Sequence, residues 1–342
     1  MRGAGARWWD AVVDSELMTV DAGNYDVQGA PWRDVRWRRE ALAWAEEALA
    51  GAGLRAGERA GWGVRLRPWS VVIRIPVADG TSAVWFKANP PGSAFEPGLA
   101  RALARWVPGQ VLTPLAVDTA RAWSLLPDGG PLLAPAVADE GADPHYWEAP
   151  LRQYAELQRA VGPRVGELAG LGVPDLRPEG LAERFDELVA LMDVPEPVRR
   201  MRPQLADWCA ELAGSGIPAT LDHSDLHEAQ VFRGDGRRFV FFDWGDSSLA
   251  YPFSSLLVTA RVTRRRFGAD APAVLARLRD AYLEPWTDGG HDLPALRRLA
   301  GLACRVGPVG RALAWGRVFP GTEVHHEQVA RWLGELLNEP PL

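Results

Sequence analysis

The sequence predicts an α+β, bilobal chain: an N-terminal extension and a small lobe built on an antiparallel β-sheet over residues 1–127, then a larger, mainly helical lobe over residues 128–342. Three observations lead there. Short β-branched runs broken by turn signals fill residues 62–126. From Pro144 onward apolar residues recur at three- and four-residue steps. A chain of 342 residues also exceeds what one compact core usually holds.

Taken in order, residues 1–30 mix Trp8, Trp9 and Tyr25 with Gly and Asp without a sustained period, and read as an irregular arm. Pro31 to Leu49 is helical, with Val35, Leu42, Ala45 and Leu49 on one face and Gly51 and Gly53 stopping it. Val71 to Val77, the turn Ala78-Asp79-Gly80, and Ala83 to Ala88 form an antiparallel pair that ends near Lys87. The breaker Asn89-Pro90-Pro91-Gly92-Ser93 precedes a helix from Phe95 to Trp106, with Glu96 in its first turn. Gln110 to Val117 and Ala122 to Leu126 read as two further strands, and Pro127-Asp128-Gly129-Gly130 as the link between lobes. Trp69 and Trp85 read as core residues.

In the second half, helices are expected over Tyr146 to Val161, Gly180 to Met192, Pro197 to Ala213, 251–267, 271–284, 293–315 and 324–338. Most of the 16 tryptophans read as core, with Trp286 or Trp315 as candidates to stack on a sugar ring. No repeat or low-complexity tract interrupts the pattern.

Composition narrows the function classes. Two cysteines, Cys209 and Cys304, exclude a disulfide framework or a thiolate zinc cluster. Met1 to Val20 carries Asp10, Asp14 and Glu16 and no continuous apolar core, which speaks against a secretory signal, and no apolar run approaches a membrane span. A cytoplasmic protein without membrane or nucleic-acid partners is expected. Residues 128–250 hold 11 basic and 22 acidic groups, against 15 and 13 before them and 12 and 9 after. An acidic middle segment suits a cationic small molecule. Of 38 basic residues, Lys87 is the single lysine among arginines. A lysine kept in such a background belongs where a compact ammonium is needed and a planar fork would not fit.

The most informative stretch is Leu221 to Asp246. Val231-Phe232 and Phe239 to Phe242 are β-prone runs around Gly234-Asp235-Gly236, a hairpin turn signal. Such a hairpin brings the residues before its first strand, Asp225 and Gln230, close to those after its second, Asp243 and Asp246. Carboxylate and amide oxygens converging there make a hard site suited to Mg²⁺ holding a polyphosphate.

This stretch, His223-Ser224-Asp225-Leu226-His227-Glu228-Ala229-Gln230 with Asp243 beyond it, resembles the catalytic loop of protein-kinase-like phosphotransferases, in the aminoglycoside phosphotransferase and choline kinase branch. There the loop reads His-Gly-Asp-x-x-x-x-Asn, and a metal-binding Asp follows one hairpin later. Ser224 replaces Gly, and Gln230 replaces Asn while keeping the amide oxygen.

The resemblance implies a protein-kinase-like fold and an ATP- and Mg²⁺-dependent transfer to a hydroxyl of a small molecule such as an aminoglycoside or aminosugar. It implies Asp225 as the catalytic base, Gln230 and Asp243 as metal ligands, and His223 as a loop anchor. Lys87 would hold the ATP phosphates with Glu96 orienting it, Ser70 and backbone amides would serve as the loop over the phosphates, and backbone groups near Leu125 and Leu126 would read the adenine edge. Relatives usually carry an Asp where Ser255 stands here. Two other readings remain open: a nucleotide-binding pseudokinase, with Gln230 as the lesion, and a metal-dependent hydrolase built on His223, Asp225 and His227 with Asp243 and Asp246.

Overall fold

The computed structural model describes residues 18–23, 30–80, 82–134, 145–234, 238–317 and 323–342. Trp8, Trp9, Tyr25 and the Asp235-Gly236 turn lie outside them. The chain forms two compact units, divided near Gly129, with Trp106–Val111 belonging to the second.

The first unit is a six-stranded sheet in the order β1-β2-β3-β4-β6-β5. Its strands are β1 (Met18–Asp21), β2 (Trp62–Arg67), β3 (Ser70–Pro76), β4 (Ala83–Ala88), β5 (Ala116–Asp118) and β6 (Trp123–Pro127). All pairings are antiparallel except β1 with β2. Helix α1 (Val35–Gly51) opens at Asp34, whose carboxylate caps the Arg36 N–H at 2.8 Å. Its buried Leu42, Ala45 and Leu49 share one core with Val64, Ile73, Phe86 and Leu125. Trp123 stands in that core between Trp37 and Trp44, edge-on to the first at 5.6 Å. Trp69 and Trp85 are only half-buried, contrary to expectation. Trp85 leaves the core because it alternates with Val84 and Phe86, whose side chains are buried. Helix α2 (Glu96–Trp106) follows β4.

The Gln110 to Val117 run is a strand only at its end. Val111 instead bridges Phe241 in the second unit, whose N–H donates to the Gln110 carbonyl at 2.8 Å.

The second unit is mainly helical: α3 (His145–Val161), α4 (Val165–Gly170), α5 (Pro178–Leu191), α6 (Glu196–Arg199), α7 (Arg202–Ala213), α8 (Leu256–Phe267), α9 (Ala271–Leu283), α10 (Leu293–Arg317) and α11 (Glu323–Gly334). The expected helix from Pro197 to Ala213 is broken between Arg199 and Arg202. Pro203 lacks an N–H and its ring clashes with the carbonyl four residues back, so the helix stops and restarts with Pro203 in its first turn. Two small ribbons complete the unit: β7 (Thr220–Asp222) with β10 (Ser248–Ala250), and β8 (Val231–Arg233) with β9 (Phe239–Phe241). Trp286 packs edge-on against Phe253 at 5.4 Å and serves the core. Among the described residues no helix is long and apolar enough to cross a membrane.

Candidate active site

β7 delivers the polar loop, and helix α3 holds it from behind. Thr220 donates to the Gln158 carbonyl, and the Gln158 amide donates to the carbonyls of Leu221 at 2.9 Å and Pro252 at 3.1 Å. One turn earlier on the same face, the Tyr154 hydroxyl accepts the His223 N–H at 2.9 Å. The His223 ring is fully buried, with Nε2 2.8 Å from the Phe242 carbonyl. A nitrogen facing a carbonyl oxygen carries the proton, and burial holds the ring pKa below its usual value, so the imidazole is neutral at pH 7. His223 therefore ties the loop to the residue preceding Asp243.

Ser224 follows with φ 62°, the left-handed region that favours glycine. Asp222 holds it there: one carboxylate oxygen accepts the Ser224 N–H and the other its hydroxyl, both at 2.9 Å. Asp222 also accepts a short hydrogen bond from Ser255. Position 255, where the resemblance expects a carboxylate, thus supplies a hydroxyl to a carboxylate on β7. We expect Ser224→Ala, which keeps the backbone strain and loses a hydrogen bond, to destabilise by about 1–2 kcal/mol. Ser224→Gly, which also relieves the strain, is expected to cost less; urea denaturation of both variants checks the order.

Asp225 is 29% exposed and lies between the Arg311 guanidinium and the His227 imidazole. Arg311 Nη2 on α10 is 3.3 Å from one carboxylate oxygen, and His227 Nε2 is 3.6 Å from the other. Because His227 Nδ1 accepts the Ala229 N–H at 3.2 Å, its proton is on the nitrogen that faces Asp225. Arg311 spans two acids, with Nη1 2.7 Å from Asp246. Burial alone would raise the Asp225 pKa, but Arg311 first and His227 second pull it down to about 2. His227 is raised in turn, since its pairing with Asp225 outweighs its burial.

Gln230 and Asp243 stand at the open end of the β8–β9 ribbon. The Gln230 carbonyl accepts the Phe242 N–H at 3.2 Å, which extends the Val231–Phe241 pairing by one step. Phe232 and Phe242 stack at 4.3 Å beneath it. Asp243 has φ 64° and ψ 61°, a left-handed conformation for a residue with a β-carbon. A backbone strained at one acidic residue marks it as placed rather than incidental. The donor set here is an amide oxygen and a carboxylate. No group of three His, Cys, Asp or Glu side chains with metal-site geometry occurs among the described residues. Two oxygen donors fit Mg²⁺, which keeps waters and substrate phosphates as its other ligands. A zinc hydrolase site fits poorly, because His223 Nε2 and His227 Nδ1 are already engaged.

In the first unit Lys87, on β4, meets Glu96, the first residue of α2. Its Nζ is 2.7 Å from each carboxylate oxygen, and both side chains are buried. Ser70 follows the two-residue turn Pro68-Trp69 and is buried at the start of β3. The Leu125 carbonyl accepts the Leu115 N–H at 2.8 Å, and the Leu125 side chain is fully buried, so this residue is committed to the sheet. Leu126 pairs with Trp85 across β4 and β6.

Two residues of the second unit escape sequence reasoning. Asp222 looks like the end of a strand. Arg311 did leave a trace: it is a charged residue among the buried Val306, Val309, Ala312 and Ala314 of α10.

No protein-family model matches the chain, and no curated protein matches its sequence. Solved structures do match in three dimensions. The apoenzyme of the macrolide 2′-phosphotransferase from Brachybacterium faecium is similar at TM-score 0.54 and 20% identity, over 86% of this chain and 98% of its own. A choline/ethanolamine kinase family protein from Mesorhizobium loti is similar at TM-score 0.54 and 18% identity, over 89% and 95%. The chain has the fold of the aminoglycoside phosphotransferases and choline kinases. The GDP and kanamycin complex of APH(2″)-IIia shares this protein-kinase-like fold at TM-score 0.52 and 15% identity, over 78% of this chain and 89% of its own. At these identities it is the fold that is shared.

Proposed function

We propose that this chain is an ATP- and Mg²⁺-dependent phosphotransferase acting on a hydroxyl of a small molecule. The observation that carries this is the ion pair of Lys87 with Glu96. Taking an ammonium and a carboxylate out of water costs several kcal/mol per ion, and the attraction between them recovers it only in part. A chain that uses arginine at every other basic position, yet buries its one lysine against a carboxylate, spends that energy on orienting an ammonium.

In this reading Lys87 engages the nucleotide phosphates and Glu96 aims it. Ser70 and the backbone near Leu126 lie on the nucleotide side, and Gln230 and Asp243 hold Mg²⁺. When bound, Mg²⁺ supplies neutralisation of the charge on the β- and γ-phosphates. Asp225 accepts a hydrogen bond from the acceptor hydroxyl and points its oxygen at phosphorus. The bond from phosphorus to the acceptor oxygen forms as that to ADP breaks, and the hydroxyl proton leaves towards Asp225. With a pKa of about 2, Asp225 is a weak base. Its work is orientation, with the proton moving late, as a loose transition state permits.

The test is Mg²⁺-linked nucleotide binding. Calorimetry is expected to find ADP bound at least about tenfold more tightly with Mg²⁺ than without, and Asp243→Ala to abolish that difference. ADP affinity indifferent to both Mg²⁺ and the substitution would refute the metal assignment. Binding without turnover against a broad acceptor panel would favour the pseudokinase reading.

A further inference from the structure

A cavity of about 390 Å³ lies beside Asp225, wholly within the second unit and within the size range of small-molecule sites. Its charged wall is Arg261, Arg265, Arg311 and Arg331, and Asp225 is its one carboxylate among the described lining residues. Val258 and Val262 from α8 and Trp315 and Trp332 from α10 and α11 supply its apolar surface.

The charges do not cancel. Arg311 is shared by Asp225 and Asp246. Arg261 reaches Glu335 at 3.0 Å and lies 4.1 Å over the Trp332 ring. No carboxylate among the described residues lies within ion-pair reach of the exposed Arg265 and Arg331. Four guanidinium groups face three carboxylates. Burial first, and the neighbouring guanidinium groups of Arg331, Arg265 and Arg311, lower the Arg261 pKa against the pull of Glu335. Two buried donors, Arg261 Nη1 and Arg311 Nε, make no hydrogen bond among the described residues. An oxyanion satisfies guanidinium donors best, and the exposed Arg265 and Arg331 offer theirs to the cavity.

Resting on the phosphotransferase reading above, we propose that the acceptor is a hydroxylated anion, carrying a carboxylate or a phosphate, held by this arginine wall with its hydroxyl at Asp225. The acidity of the middle segment, which suits a cationic acceptor, does not extend to this cavity. Arg311 makes the arrangement workable, since an uncompensated Asp225 would repel an anion at close range. Arg265 and Arg331, the cavity's exposed arginines, hold the negative group, and Trp315 in the same lining covers the carbon skeleton.

Calorimetry with gluconate, glucose 6-phosphate, glucose and glucosamine tests this on the full-length protein and on the Arg265→Glu/Arg331→Glu double variant, whose exposed positions the fold tolerates. At least one of the two anions is expected to bind about tenfold or more tightly than glucose and glucosamine, and to lose at least that factor in the double variant. Which anion wins distinguishes a carboxylate from a phosphate acceptor. ADP affinity with Mg²⁺ is expected to stay within about twofold in the double variant. Glucosamine binding best, neither anion binding, or anion binding indifferent to the charge reversal overturns the anionic acceptor and leaves the phosphotransferase reading intact. Lost ADP binding in the double variant also overturns it, by giving the arginines to the nucleotide. If ADP fails to bind even the unmodified protein while the anion does and is lost on charge reversal, the phosphotransferase reading fails and the anion site stands.

Discussion

Asp225→Asn is expected to slow phosphoryl transfer by about 10³-fold while leaving the fold intact. The substitution is isosteric, and its amide oxygen still accepts from Arg311, which keeps its shorter contact with Asp246 at 2.7 Å. In the proposed reaction, what is lost is the anionic oxygen that would hold the acceptor hydroxyl in line and finally take its proton. The amide nitrogen also faces His227 Nε2, donor against donor, so the side chain is no longer held from both sides. Single-turnover rates beside thermal melts separate the two effects. A variant with a melting temperature near that of the unmodified protein and a rate within tenfold of it would remove Asp225 from the chemistry. The pH profile carries a companion expectation. A carboxylate held at about 2 does not protonate at ordinary assay pH, so no acid limb from Asp225 appears above about pH 4.

Arg311→Met is expected to have the largest effect on stability, about 3–5 kcal/mol at pH 7, because it leaves Asp225 and Asp246 without the buried cation between them. Its pH dependence is diagnostic. In the unmodified protein the folded-state pKa of Asp225 is about 2, below the unfolded value near 3.8. That pairing therefore contributes stability above about pH 4 and loses it as pH falls towards 2. Without Arg311, burial is opposed mainly by the His227 hydrogen bond, and the folded-state pKa is expected to rise above the unfolded one. The sign reverses: the variant's deficit is largest at neutral pH and shrinks as pH falls below the new folded-state value. Urea unfolding at pH 7 and at pH 4.5 reads this directly. A deficit that is small, or the same at both values, would mean that Arg311 is not the charge that keeps Asp225 ionised.

Much of the fold was legible because it rests on local rules. Apolar alternation drew β3 and β4, three- and four-residue steps drew α1, α3, α5, α8, α9 and α10, and two β-prone runs around a turn drew the β8–β9 ribbon. The proximity of His223, Gln230 and Phe242, next to Asp243, was legible for the same reason, since a loop and one hairpin bring them together. Where a segment chose between partners, local rules failed. Gln110 and Val111 look like part of β5 but bond Phe241, and β1 exists only because β2 offers an edge. The sequence by itself determined the two-part architecture, the order of its helices and strands, and the loop that carries Asp225. Only the tertiary structure decided that Ser255 bonds Asp222, that Arg311 holds Asp225 ionised, and that four arginines line the cavity beside it. Those are charge balances among residues far apart in the chain, and neither periodicity nor composition encodes which charges end up facing one another.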